Sequence, residues 1–390
     1  MGPLKGKRFV EFAGLGPAPF AAMMLSDLGA DIIRIERMPT PHVREKHVGE
    51  KATGGVESLS DGIMTRGRLS IALDLKSVEG HRVAMSLIGM ADGILEGFRP
   101  GAMERLGLGP EICLEENPQL VYARITGWGQ EGPFAQRAGH DLNYIALSGA
   151  LSTFGRRGEP PVAPLNLLGD FAGGGLLAVT GILAALVSAS STGKGQVVDA
   201  AMLDGSAYLM TMMYELLGAG QWTEERESNP NDGAAHFYGV YETSDQRYVS
   251  IAAMEPQFYA SLLNQLGLTD VELPEQWDVI SWPAMRILFE DIFRSRTRHD
   301  WCESLADLDT CFAPVLTMSE APHHPHNAAR SVFTEVDATM LPSPVPRFSA
   351  TPLEMGRNLP VSETSTDAVL ALAGLGSSEI AELRAQGVIL

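Results

Sequence analysis

The 390-residue sequence has little cysteine: three residues, Cys113, Cys302 and Cys311, scattered and odd in number. That excludes a disulfide framework and a cysteine-rich zinc site, and it fits a reducing cytosol. Basic residues are also short, with 29 Lys and Arg against 48 Asp and Glu and a formal net charge of −19. So acidic a balance argues against non-specific binding to nucleic acid or an anionic membrane. An anionic small ligand would need a local cluster of Arg and Lys. Long apolar runs are nearly absent. MGPLKGKRFVEF carries no run of signal-peptide length, and QGVIL is no Ser-Lys-Leu address. One stretch, FAGGGLLAVTGILAALVSAS over 171–190, is long enough for a membrane span. It is rich in Gly and Ala, follows Asp170 directly, and reads better as a buried core helix.

What is present is an alternation of strands and helices. GKRFVEFAGLGPAPFAAMMLSDLGADIIRIER predicts a strand over 8–12, a helix over 21–28 ended by Gly29, and a strand over 32–35. This is a βαβ unit and predicts a parallel sheet. LSIALDLKS, GILEGFRPG and QLVYARITGWG predict further strands, with a helix starting near Ser77. GKGQVVDAAMLDGSAYLMTMMYELLGAG predicts a strand and then one long Met-rich helix. Beyond 225 the pattern changes. HFYGVYETSDQRYVSIAAM alternates with period two around a Ser-Asp turn, as an antiparallel hairpin does, and three helices follow. The expected fold class is α/β. A large Rossmann-like domain covers 1–205 and a smaller α+β domain 225–330. A Pro-rich extended strap with a terminal helix, 331–390, returns to the large domain.

Several residues could carry chemistry. The turn GLGPAPF is a weak dinucleotide fingerprint, because Pro19 stands where the third glycine belongs. At the next strand end Glu36 would hold a ribose hydroxyl, or Arg37 a phosphate in a bidentate fork. A solvated charge pair is the plainer reading. Lys76, Arg99 and Arg105 also follow strands. In an open α/β sheet ligands bind beyond the carboxyl ends of the strands, so these cations form the cluster an anionic ligand needs, or are simply loop charges.

In RAGHDLNYIALSGAL, Leu142, Ile145, Ala146 and Gly149 have helical spacing after His140. Gly139 allows a tight entry, and Asp141 suits a cap or first turn. The positive end of a helix disfavours imidazolium, leaving a neutral ring that can accept a proton. A histidine bonded to a carbonyl, with no further role, is the plainer reading. Asp170 in PLNLLGDFAGGG is a lone acid between apolar runs. It reads as a functional acid that desolvation keeps protonated, or as the N-cap of the following helix. In the first reading, free amides at that helix start would bind an oxyanion. Glu255 in AAMEPQF precedes a helix with Pro256 at its first position and reads as a functional acid or a cap. HHPH, 323–326, lacks neighbouring ligands at metal-site spacing.

LSDLGADIIRIER, LEGFRPGAMERLGLGP, TGWGQEGPFAQRAGHDLNYIALSGAL, PLNLLGDFAGGG, TGKGQVVDAAMLDG, MEPQFYASLLNQLGL and DTCFAPVLT follow one another over nearly the whole chain. Together they resemble the α-methylacyl-CoA racemases of the class III CoA-transferase superfamily. The resemblance implies an interlocked homodimer of ring-like chains, each with a Rossmann-like domain, a small domain and long linkers, and an active site between subunits. It implies that His140 and Asp170 are acid/base residues on opposite faces of the substrate α-carbon, with Glu255, from the partner chain, orienting His140. Asn166 and Tyr238 would lie near the reacting end. Coenzyme A would contact Arg37, Leu73, Asp74, Leu75, Lys76, Gly97, Phe98, Arg99, Arg105, Gly139, Asp141, Leu142, Asn143 and Tyr144.

The implied reaction interconverts (2R)- and (2S)-2-methylacyl-CoA by 1,1-proton transfer through an enolate. It needs no metal or redox cofactor, since coenzyme A is part of the substrate. One departure stands out: relatives read Asp-Gly-Gly-Ala-Pro where this chain has Asp232-Gly233-Ala234-Ala235-His236. His236 is expected to alter the acyl pocket near Tyr238. Two other readings stay open: a CoA transferase with Asp170 as nucleophile, and a non-enzymatic CoA- or nicotinamide-binding protein.

Overall fold

The short runs RFVEF, DIIRIER, RLSIAL, GILE, VYARIT and QVVDAA all become strands, because β-branched and aromatic side chains fit a pleated, covered surface. They are β1 (Arg8–Phe12), β2 (Asp31–Arg37), β3 (Arg68–Leu73), β4 (Gly93–Glu96), β5 (Val121–Thr126) and β6 (Gln196–Ala201). The computed structural model describes residues 2–38, 62–356 and 363–390. Residues 39–61 of the expected large domain and 357–362 of the expected strap lie outside the described residues.

All six strands run parallel in the order β3-β2-β1-β4-β5-β6. Both faces are covered, as a parallel sheet requires. In β1, Phe9 points to one face and Val10 to the other, following the two-residue period of a strand. On one face Phe9, Ile32 and Val121 pack with Ala21 and Leu25 of α1 (Pro17–Asp27). On the other, Val10, Ile33 and Ile71 meet Val83 and Leu87 of α2 (Val78–Gly89). Helices α3 (Ala102–Arg105) and α4 (Pro110–Glu116) follow β4. After β5 come α5 (Asp141–Leu147), a π-helix (Leu167–Leu176), and α6 (Leu177–Thr192), which leads into β6.

The apolar stretch expected as a core helix is therefore the later part of a longer helical segment. Only one face of α6 is buried, through Ala178, Val179, Ile182 and Ala185, while Val187 is 71% exposed. By length and composition Leu167–Thr192 is the one segment among the described residues that could cross a membrane. The expected long Met-rich helix is two helices, α7 (Met202–Leu209) and α8 (Thr211–Gly218). The π-helix packs on α7 backbone to backbone: a Cβ on Gly205 would lie 2.0 Å from the Gly173 carbonyl oxygen.

The chain forms two compact units. The first is Met1–Ser148, Pro164–Met210 and Pro344–Leu390; the second is Gly149–Ala163 and Thr211–Ser343. These limits differ from the expected breaks at 205, 225 and 330. In the first unit Val369 and Leu383, from α13 (Glu363–Leu372) and α14 (Ser377–Ala385), pack on the α2 face of the sheet, and Leu73 bridges Ile389.

The second unit holds the expected hairpin, β7 (Tyr238–Glu242) and β8 (Tyr248–Ala252), extended by β9 (Phe312–Val315). Its sheet packs on α9 (Pro256–Gln265), α10 (Trp282–Phe293) and α11 (Arg298–Leu305) through an aromatic core of Phe237, Tyr241, Phe289, Phe293 and Trp301. The first part of the strap is not extended. After α12 (Pro325–Ala329), which precedes it, the strap opens with a hairpin of β10 (Phe333–Val336) and β11 (Thr339–Pro342), in which Thr334 pairs with Leu341.

Candidate active site

The strand order grows outward in both directions from β1 and β4. Chains leaving the carboxyl ends of these two neighbours diverge, which opens a crevice at the switch point. A cleft of about 460 Å³ occupies it. The loop after β1 contributes Gly14, Leu15 and Gly16, and the loop after β4 contributes Gly97, Phe98 and Arg99. Trp128 and Arg137–His140 come from the chain after β5. Asn166, Asp170 and Phe171 come from the π-helix and its approach.

His140 is the N-cap of α5, with extended backbone (φ −135°, ψ 174°) and an exposed side chain. Its backbone N–H donates to Asn143 Oδ1 at 3.1 Å, which fixes the corner. Gly139 before it is held by Tyr144, whose hydroxyl donates to the Gly139 carbonyl. The Trp128 ring stands edge-on to Tyr144 at 4.7 Å. Burial pushes the Tyr144 phenol up to about 12, so it stays a donor.

Asp170 is half-buried inside the first turn of the π-helix. Burial raises its pKa, and the negative charge of Asp141 adds to the rise. A hydrogen bond from Asn166 Nδ2 to Asp170 Oδ2 at 3.1 Å and the nearby His140 oppose it. The net direction is upward, so this carboxyl holds a proton more readily than an exposed aspartate. Gly16, at φ +70°, lets the β1 loop pass beside it: a Cβ there would sit 3.4 Å from Asp170 Oδ2.

Two expectations about this helix start are corrected. Asp170 is not the N-cap of a helix beginning at 171; the helical segment already starts at Leu167. The amides of Gly169 and Asp170 are not free for an oxyanion either. Both donate to Asp141 Oδ2, at 2.6 and 2.7 Å. A buried carboxylate already satisfies these donors.

The loop after β4 is braced from below. Phe98 N–H donates to Glu96 Oε2 at 2.7 Å, and Arg124 donates to Glu96 Oε1 at 3.0 Å and Glu104 Oε1 at 2.8 Å. Glu96 is fully buried, and that burial raises its pKa despite Arg124. Arg99 is thereby presented on a fixed loop, exposed beside the cleft.

Of the expected residues, His140, Asp170, Asn166, Gly97, Phe98, Arg99, Gly139 and Tyr144 line this one cleft. Arg37, Lys76 and Arg105 are exposed at the same sheet edge but outside its lining. Leu73 is buried in the core, Leu75 packs against it, and Asp74 Oδ1 accepts from Lys76 N–H at 3.1 Å. Asp141, Leu142 and Asn143 start α5 and do not line the cleft.

Tyr238 and Glu255 belong to the second unit. Tyr238 opens β7, half-buried, and Glu255 is the exposed N-cap of α9. His236 is buried in the same unit's aromatic core, its Nε2 2.8 Å from the Tyr259 hydroxyl. Its ring stands edge-on to Phe237 and Phe289 in that core. Among the described residues no three His, Cys, Asp or Glu side chains gather as a metal site.

Sequence reasoning missed Gly16, Trp128, Arg137, Phe171 and Met202 as cleft residues. The turn holding Gly16 carried a signal, but for phosphate binding. Arg137 lay beside His140 in the chain. Trp128, Phe171 and Met202 had no local signal, because only the packing of distant segments brings them to the cleft.

A sequence model of CoA-transferase family III matches residues 4–365. The chain is 42% identical over 389 residues to the alpha-methylacyl-CoA racemase of Mus musculus, covering 99% of this chain and 97% of that one. It is equally similar to the Homo sapiens protein of that name, over 388 residues and with the same coverage. A crystal structure of a CAIB/BAIF family protein from Brucella suis matches with TM-score 0.79 at 26% identity, covering 95% of this chain and 99% of that one. The chain belongs to CoA-transferase family III, with α-methylacyl-CoA racemases among its full-length relatives.

Proposed function

We propose that this chain is an α-methylacyl-CoA racemase, interconverting (2R)- and (2S)-2-methylacyl-CoA thioesters by 1,1-proton transfer between His140 and Asp170. The observation that carries the reading is that these two groups line one cleft at the sheet's switch point. In one direction neutral His140 removes the α-proton and protonated Asp170 returns one to the opposite face. The reverse direction uses imidazolium and carboxylate. One proton is held across the pair at any time. The raised pKa of Asp170 supports its role as proton carrier.

In this reading Asn166 hydrogen-bonds the carboxylate form of Asp170 and Tyr238 lies near the reacting end. Glu255, contributed by the partner chain, orients His140. Arg99 meets the anionic coenzyme A moiety, with Arg37, Lys76 and Arg105 as further cations along the same edge. The working form is a homodimer with shared active sites in the cytoplasm, acting in fatty acid metabolism. The chemistry uses no cofactor beyond the coenzyme A of the substrate.

A second reading is a CoA transferase in which Asp170 attacks the thioester. It is supported by 29% identity over 413 residues to the succinyl-CoA–L-malate CoA-transferase beta subunit of Chloroflexus aurantiacus. The test is incubation of each 2-methylacyl-CoA epimer in D₂O. Deuterium at C2 with change of configuration is expected, lost in the His140→Ala, Asp170→Ala double variant. No exchange with any 2-methylacyl chain length would overturn the proposal. A trapped Asp170 acyl adduct with CoA transfer to an acceptor would favour the second reading.

A further inference from the structure

Glu255 sits at the corner between β8 and α9, and the main chain is fastened on both sides of it. Before it, Gln276 Nε2 donates to the carbonyls of Ala253 and Met254, each at 3.0 Å. Trp282 Nε1 donates in turn to the Gln276 carbonyl at 2.9 Å. Ala253 N–H donates to the Phe237 carbonyl at 2.9 Å. After it, the N–H groups of Phe258 and Tyr259 reach back to the Glu255 carbonyl at 3.1 and 3.0 Å. The Glu255 side chain itself makes no capping bond.

Tyr259 is the far anchor of that first turn. Its hydroxyl lies 2.8 Å from His236 Nε2. The imidazole is 1% exposed and boxed edge-on by Phe237, Tyr259 and Phe289, with ring centroids 5.2, 5.5 and 5.1 Å away. The His236 carbonyl accepts from the Tyr241 hydroxyl at 2.5 Å, which holds the residue at the entry to β7. Aromatic contacts tolerate sliding, whereas a buried hydrogen bond is directional and fixes distance and angle.

We propose that His236 is a positioning residue for Glu255: its bond to Tyr259 fixes the first turn of α9, and with it the direction in which the N-cap carboxylate projects. The proposal rests on the reading in which Glu255 orients His140. Packing alone would accept phenylalanine at 236; what histidine adds is the bond to the Tyr259 hydroxyl. Gln276 secures the residues before Glu255, and His236 secures those after it.

The experiment compares kcat and KM for C2 deuterium exchange in the full chain. The variants are His236→Phe, Tyr259→Phe and the pair together, each with and without Glu255→Gln. Each single change is expected to lower kcat by roughly tenfold or more, since small displacements of an orienting group cost that much, with KM little changed. The pair should be no worse than either alone, and none should lower the rate further beside Glu255→Gln. His236→Gln, which keeps a hydrogen-bonding side chain, should recover part of kcat. If Glu255→Gln leaves exchange intact, the orienting role of Glu255 falls and takes this one with it. If Glu255→Gln slows exchange but His236→Phe and Tyr259→Phe do not, or slow it equally beside Glu255→Gln, His236 does not act through Glu255. Should His236→Phe fail to fold, Tyr259→Phe, which removes one hydroxyl, carries the test alone.

Discussion

The Asp141 carboxylate accepts a hydrogen bond from the Asp170 backbone N–H at 2.7 Å, using the same oxygen that accepts from Gly169 at 2.6 Å. The residue that follows His140 in the chain thus holds the backbone of Asp170. One buried carboxylate fixes the two candidate acid/base residues relative to each other.

Asp141→Ala leaves the buried Gly169 N–H and the part-buried Asp170 N–H without their acceptor. A loss of about 1–3 kcal/mol in unfolding free energy is expected from the buried donor, with a smaller addition from the other. Asp141→Asn keeps an acceptor but removes the charge that raises the Asp170 pKa, so that pKa should fall. Urea unfolding and the pH dependence of exchange measure the two effects. Wild-type stability in the alanine variant would show the contact to be idle.

Asn166→Ala removes the donor that favours the charged form of Asp170. The Asp170 pKa should then rise further. In the direction where Asp170 is the base, activity requires the carboxylate, so the acid limb of kcat/KM should move to higher pH. A limb that stays in place or moves down would rule out this role for Asn166.

Gly16→Ala forces a side chain onto a backbone at φ +70° and ψ −118°, a sparsely populated conformation outside the left-handed helical well, at roughly 1–3 kcal/mol, and puts a methyl group in contact with Asp170 Oδ2. The prediction is a modest fall in Tm with a larger fall in kcat. An unchanged kcat at lowered Tm would mean that the β1 loop does not define the site.

His236 gives the second unit an acid sensitivity. Burial holds its folded-state pKa at about 4, against 6.5 for a free histidine. Between those values the unfolded chain binds a proton that the folded chain refuses. Stability from this group is therefore present above pH 6.5 and lost as pH falls toward 4, by about 3 kcal/mol in all. His236→Phe should remove that part of the slope in urea unfolding at a series of pH values. Equal slopes for wild type and variant would contradict it.

Arg99 is exposed on a braced loop, so Arg99→Ala should leave stability unchanged, raise KM for the thioester roughly tenfold and weaken the salt dependence of binding. A kcat effect without a KM effect would place Arg99 in the chemistry instead.

The sequence by itself determined the six parallel strands, the hairpin of the second unit, and the corner at His140. Each depends on local physics: β-branched runs, period-two alternation, and a glycine entry before helical spacing. It also marked Asp170 as an acid that needed explaining. What it could not determine depends on contacts between residues far apart in the chain. Asp141 was legible as a helix-start residue, but that its carboxylate holds the amides of Gly169 and Asp170 was not. The close approach of Gly173 in the π-helix to Gly205 is likewise a contact between distant segments, which no local propensity encodes. Residues 149–163 and 331–343 join the second unit because long-range packing, not chain order, decides membership. His236 stood out in the sequence only as a departure near Tyr238; that its side chain is buried in the aromatic core with Nε2 at the Tyr259 hydroxyl depends on residues 23 and 53 positions further on.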